Sequence, residues 1–131
     1  YILGKPNERE LCALLRRERT KDVHALAEMA RELMPPYEML LVSMGADGAL
    51  LLAESGDVYR AALRSTQPVI STVGAGDSVT AGFLAGLLDT GDYSQALRLG
   101  AACGSATAYS PALANRAMLE AVLPSVEVTA L

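Results

Sequence analysis

Ser71-Thr72-Val73-Gly74-Ala75-Gly76-Asp77-Ser78, running directly into the apolar stretch Val79–Leu88, is the most informative segment of this chain. Small residues at the entry of a helix let backbone N–H groups converge on one spot with no side chain in the way. The first N–H groups of a helix lack internal partners, and the helix dipole adds partial positive charge there. An anion, such as a phosphoryl group in transfer, is stabilised at such a corner. Asp77 places a carboxylate beside it, able to take a proton from a hydroxyl that attacks phosphorus. On spacing alone the same residues serve equally well as a tight turn with Asp77 as a helix cap. Gly82 and Gly86, four apart in the following helix, are equally suited to close helix packing.

Outward from this segment, apolar runs and breakers alternate. Tyr1–Lys5 reads as a strand, broken by Pro6-Asn7, with Asn7 as the cap of a helix over about Glu8–Arg17. Asp22 is the expected N-cap of a second helix ending near Met34, where Pro35-Pro36 stops it; Val23, Leu26, Ala30 and Leu33 supply its buried stripe. Met39–Ser43 reads as a buried strand. The turn Gly45-Ala46-Asp47-Gly48 leads to strand Ala49–Ala53, and Ser55-Gly56-Asp57 leads to strand Val58–Leu63, the last two forming a hairpin. Helices are expected over Asp77–Leu88, from Asp92 or Tyr93 to about Tyr109, and over Asn115–Val122, with a last strand at Val126–Thr129. The pattern predicts an α/β layered fold with a mixed sheet and helices packed on it.

Composition narrows the function classes. The 131 residues are 51% hydrophobic and 20% charged, with one Phe and no Trp, so the core must be aliphatic. A net charge of −4 and only two lysines, Lys5 and Lys21, argue against a nucleic-acid surface. Two distant cysteines argue against a disulfide framework and for a reducing, cytoplasmic setting. The longest apolar stretch is about half of the ~20 residues that a membrane span needs, so no membrane partner is expected.

Thr72-Val73-Gly74-Ala75-Gly76-Asp77 resembles the Thr-x-Gly-Ala-Gly-Asp signature of the ribokinase/PfkB carbohydrate kinases. Two further segments match that family in the right order: Lys5-Pro6-Asn7-Glu8-Arg9-Glu10, with its Asn-x-x-Glu core, and Val42-Ser43-Met44-Gly45-Ala46-Asp47-Gly48. The resemblance implies a ribokinase-like fold using ATP and Mg²⁺. It implies Asp77 as catalytic base and Gly74, Ala75 and Gly76 as the anion hole. Ser43, Gly45, Asp47, Gly48, Thr72, Gly74 and Gly76 are implied to line the nucleotide. Asn7 and Glu10 are implied to help hold Mg²⁺, partly through water. Taken singly, Asn7 reads as a plain cap, Glu10 as a solvent-facing acid, and Gly45 and Gly48 as a hairpin turn.

Ser71, where many members of the family carry an acid, together with Lys5-Pro6-Asn7, looks most like the phosphofructokinase-type branch. Its acceptors are phosphorylated ketohexoses, as in 1-phosphofructokinase and tagatose-6-phosphate kinase, the former being favoured. Fructose 6-phosphate or ribose as acceptor, or a non-catalytic nucleotide-binding regulatory module, are the alternatives. An intact Asp77, Asn7 and Glu10 favour the kinase, since a pure binding module needs no base. The opening Tyr1–Asn7, a buried strand entering a helix at once, is the pattern expected of a fragment. The resemblance places it as the C-terminal, ATP-binding portion of such a kinase, because nothing here matches the family's sugar-recognition motifs or lid. A sugar phosphate as partner, and a homodimer among the possible assemblies, are implied for a full-length parent only. Alone, this chain is expected to bind nucleotide weakly at best and not to turn over.

His24, with no ligand-spaced partner, reads as a surface histidine. Cys103, within Ala101-Ala102-Cys103-Gly104-Ser105-Ala106, reads as a packing residue near the adenine site rather than a nucleophile.

Overall fold

The computed structural model describes residues 3–20, 22–34, 37–44, 48–63, 75–108 and 116–131. In chain order the elements are β1 (Leu3–Gly4), α1 (Glu8–Leu14), α2 (Val23–Leu33), β2 (Met39–Ser43), β3 (Ala49–Ala53) and β4 (Val58–Leu63). Helices α3 (Ala75–Thr90), α4 (Tyr93–Ala108) and α5 (Arg116–Val122) follow, then a short 3₁₀ turn and β5 (Val126–Ala130). The strands form a five-stranded sheet in the order β1-β2-β3-β4-β5, with β1 parallel to β2 and the later neighbours antiparallel. This is the mixed sheet expected, including the β3–β4 hairpin.

Strand alternation explains how the sheet carries helices on both faces. Leu40, Val42, Leu50 and Leu52 point to one face and pack with Leu11, Leu26 and Ala30 of α1 and α2. Met39, Leu41, Ala49 and Leu51 point to the other and pack with Phe83, Leu97 and Ala101 of α3 and α4. Both faces of β2 and β3 are thus covered, and these strands read as continuous apolar runs rather than alternating ones.

Several element boundaries differ from expectation, the end of α1 for a visible physical reason. Helix α1 stops at Leu14, not Arg17, because Arg16 takes a left-handed conformation, φ 54°. Its N–H reaches Ala13 O at 3.1 Å and that of Arg17 reaches Cys12 O at 2.9 Å, the double closure of a Schellman motif. The first strand is shorter than Tyr1–Lys5 within the described residues, with Lys5 already beyond it. Helix α3 begins two residues before Asp77, and β5 runs one residue past Thr129. The expected ends at Tyr109 and Asn115 lie outside the described residues. His24 is exposed, its N–H capped by the Asp22 carboxylate at 3.1 Å.

Helices α3 and α4 form a tight antiparallel pair turned by Gly91 (φ 68°) and capped by Asp92, whose Oδ1 accepts from Ser94 N at 2.8 Å. Gly82 lies against Gly100 and Cys103, and Gly86 lies against Ala96, with no room for a Cβ at either glycine. This pair fixes where the start of α3 sits relative to the sheet. Among the described residues no helix is long and apolar enough to cross a membrane.

Candidate active site

The parallel pair β1–β2 ends in one place. Pro6 O accepts from Ser43 N at 3.2 Å, and Asn7 bridges Ser43 in parallel register. The polypeptide leaving β1 therefore passes the carboxyl end of β2, where open α/β sheets carry their ligands. The first turn of α3 arrives at the same edge, seated by Val79 and Leu41 in the core beneath. Between them lies a cleft of about 160 Å³, to which Lys5, Asn7, Glu10, Ser43, Asp77 and Thr80 contribute polar groups.

Of the residues singled out from sequence, Asn7, Glu10, Ser43, Gly76 and Asp77 meet in this cleft. Ala75 opens α3 just beside it. Thr72, Gly74, Gly45 and Asp47 lie outside the described residues. Gly48 is buried and does not line the cleft. Its φ is +99°, and a Cβ there would fall 1.9 Å from Ala61 O, so the fold itself requires glycine at that position.

Gly76 is the opposite case. It has no positive φ, and among the described residues a Cβ built on it meets nothing within 4 Å. Neither its conformation nor the packing of the described residues demands glycine there. Because α3 starts at Ala75, the Gly76 and Asp77 N–H groups belong to its first turn and have no partner within the helix. The Thr80 hydroxyl donates to Gly76 O at 3.2 Å.

Asn7 and Glu10 form a reciprocal capping box: Asn7 Oδ1 accepts from Glu10 N at 2.7 Å, and Glu10 Oε1 accepts from Asn7 N at 3.1 Å. The cap reading of Asn7 is therefore realised, while Glu10, read singly as a solvent-facing acid, is the second arm of that cap. Among the described residues the box leaves Glu10 Oε2 and the Asn7 amide N–H₂ without a further hydrogen bond. Asn7→Ala removes one arm of the box and should cost about 1 kcal/mol of stability, within a range of about 0.5–2. Urea unfolding would show it as a lower midpoint at unchanged slope.

Asp77 is an open carboxylate, its side chain 86% exposed, and among the described residues it pairs with Lys5, Nζ to Oδ1 3.5 Å. Lys5 was not singled out as a site residue by sequence reasoning. The pair is separated by 72 residues, so no local signal could have joined them.

Glu10 and Asn7 supply hard oxygen atoms that suit Mg²⁺, which is commonly held by one or two carboxylates together with substrate phosphates and waters. Among the described residues no group of three or more His, Cys, Asp or Glu could hold a metal alone. The residues present fit an ion that arrives with a nucleotide. Cys103 packs against Gly82, and burial pushes its thiol up from the ordinary range, which disfavours a thiolate nucleophile.

A family model described as pfkB family carbohydrate kinase matches residues 3–118. The chain is 39% identical over 130 residues to 1-phosphofructokinase of Bacillus subtilis, covering 99% of this chain and 42% of that protein. It is 33% identical over 131 residues to D-tagatose-1-phosphate kinase of Bacillus licheniformis, covering 98% and 42% respectively. Among solved structures, a Staphylococcus aureus protein assigned as a phosphofructokinase superposes with a TM-score of 0.91 at 30% identity, over 99% of this chain and 42% of that one. Phosphofructokinase-2 of Escherichia coli, solved with substrates and products, superposes with a TM-score of 0.78 at 29% identity, over 94% and 40%. The chain thus spans about 42% of the length of the curated relatives it matches.

Proposed function

The chain belongs to the pfkB family of carbohydrate kinases, and from that premise we propose that its cleft is the phosphate end of a nucleotide site in a 1-phosphofructokinase-like enzyme. The observation that supports the proposal is Gly76: a helix-compatible position next to Asp77, open among the described residues, where their packing does not require glycine. Space and N–H groups without a partner inside the helix suit the phosphoryl group of ATP.

In the reaction proposed, a hydroxyl oxygen of a phosphorylated ketohexose attacks the terminal phosphorus of ATP. The new O–P bond forms as the bond to the bridging oxygen breaks, and ADP leaves with that electron pair. The hydroxyl proton passes to the Asp77 carboxylate, whose exposure leaves it accessible to an acceptor. The first-turn N–H groups of Gly76 and Asp77 hold the equatorial phosphoryl oxygens as charge shifts during transfer. Glu10 Oε2 and the second lone pair of Asn7 Oδ1 would accept from waters on Mg²⁺, and the ion when bound supplies neutralisation of phosphate charge. Similarity to the Bacillus subtilis 1-phosphofructokinase supports fructose 1-phosphate as the acceptor.

We further propose that the 131 residues are the C-terminal, ATP-binding portion of the catalytic domain, with acceptor recognition and lid supplied by the rest of the family fold. Phosphoryl transfer depends chiefly on positioning, so the chain alone should bind Mg–ATP weakly and not turn over.

Calorimetry of Mg–ATP against the chain and against Gly76→Asp tests the site. The substitution puts a carboxylate into the anion corner and meets no neighbour in the fold. Binding heat from the wild-type chain that Gly76→Asp reduces at least tenfold in affinity is expected, with circular dichroism unchanged. No binding by the wild-type chain, or equal binding by both, contradicts the proposal.

A further inference from the structure

We propose that Thr80 is a positioning residue of this site: its hydroxyl holds the Gly76–Asp77 peptide plane and so aims the Asp77 N–H at the phosphoryl corner. The inference rests on reading the cleft as the nucleotide phosphate site. Three observations on the molecule lead to it.

The first is the bond itself. Thr80 Oγ1 donates to Gly76 O at 3.2 Å. Gly76 O and the Asp77 N–H belong to one planar peptide unit and point to opposite sides of it. A bond that fixes the direction of the oxygen therefore fixes the direction of the N–H. Gly76 O also stands four residues before Thr80 N, the spacing of the ordinary helical bond. The side-chain bond is a second restraint on the same oxygen, of the kind that bends a helix locally.

The second is where the restraint falls. Glycine backbone is the least restricted of any residue. Among the described residues nothing would meet a side chain at Gly76. The Gly76–Asp77 peptide therefore has little else to hold it, yet it carries one of the N–H groups with no partner inside the helix. Thr80 supplies the hold from one turn further along α3, next to Val79, which is anchored in the core.

The third is the orientation of the hydroxyl. Thr80 lines the cleft together with Asn7, Glu10 and Asp77. Its one proton goes to Gly76 O, so the oxygen turns acceptor lone pairs to the cleft. A group in that state has no hydrogen to give a phosphate, which leaves positioning as its contribution. Thr90 makes the same kind of bond, to Gly86 O at 2.8 Å, at the far end of α3 where it does not line the cleft. The consequence for catalysis is preorganisation: a donor already aimed at the transferring group stabilises its charge without rearranging first.

The test compares the ¹⁵N-labelled 131-residue chain with Thr80→Val, Thr80→Ser and Thr90→Val. Valine and threonine have similar helix propensity, so Thr80→Val removes the hydroxyl with little other cost to the helix. Residual dipolar coupling of the Asp77 N–H in the free chain reads the direction of that bond. Amide shifts of residues 75–80 titrated with Mg–ATP read affinity, and the same spectra report folding. Thr80→Val should change the Asp77 coupling and weaken Mg–ATP about tenfold, the loss expected for one hydrogen bond to a charged group. Thr80→Ser should keep the wild-type coupling and most of the affinity, and Thr90→Val should leave both unchanged. An unaltered Asp77 coupling or affinity in Thr80→Val, a serine variant as impaired as the valine one, or an equal loss in Thr90→Val would each overturn the assignment while leaving the nucleotide site in place. A wild-type chain whose residues 75–80 do not respond to Mg–ATP would remove the phosphate site and the aim proposed with it, and the Asp77 coupling would still decide whether Thr80 holds the peptide.

Discussion

Asp77→Asn, made in a kinase of full family length carrying this chain, should lower kcat by about 10²–10⁴-fold, the range for loss of a general base. Nucleotide affinity should change little. The carboxylate stands at the start of α3 with its side chain 86% exposed, and asparagine keeps its size and its compatibility with a helix start. What it loses is the ability to accept the hydroxyl proton as the O–P bond forms. Steady-state rates with a coupled ADP assay, alongside Mg–ATP affinity by calorimetry, separate the two roles. A variant retaining more than about a tenth of the wild-type rate would exclude Asp77 as the base. A variant that loses nucleotide affinity as well would mean that Asp77 acts in binding rather than in proton transfer.

Gly100→Leu should be the most damaging single change to the fold itself. A Cβ at Gly100 would fall 2.7 Å from Val79 O and 3.1 Å from both Phe83 N and Phe83 Cβ. Two of these contacts are backbone atoms of α3, which cannot move aside as a side chain would. The helices must separate, and Phe83, fully buried beneath them, loses its packing. Overpacking costs of about 1–3 kcal/mol are usual, and this site belongs at or above the upper end. A fall in Tm of roughly 10 °C or more is expected for a chain of this size. Gly76→Ala is the matching control, because its new methyl meets nothing within 4 Å. It should be neutral or slightly stabilising, since alanine is the better helix former. A stable Gly100→Leu variant would show that the α3–α4 contact is looser than described.

The contrast between these two glycines also shows what could be read from the chain and what could not. Strands Met39–Ser43, Ala49–Ala53 and Val58–Leu63 were legible to the residue, because short apolar runs between Gly, Ser and Asp turns have one economical solution. The cap at Asn7 was legible for the same local reason, but not the return bond from Glu10 that completes it. The end of α1 was not, because Arg16 adopts a conformation usually given to glycine, and nothing in Leu15-Arg16-Arg17 announces it. Gly76, Gly82 and Gly86 look alike in sequence, yet one faces open space and two face a neighbouring helix. Only the packing of α4 distinguishes them. The Lys5–Asp77 pair was illegible for the same reason, since it exists only once the end of β1 and the start of α3 share an edge.

A crystal structure of the chain grown with Mg²⁺ and a non-hydrolysable ATP analogue tests most directly whether phosphate binds at the corner made by the first turn of α3 beside Asp77. The predicted result is a terminal phosphate within hydrogen-bond distance of the Gly76 N–H. Phosphates lodged elsewhere, for instance beside Arg98 in the groove between α4 and β5, would contradict it.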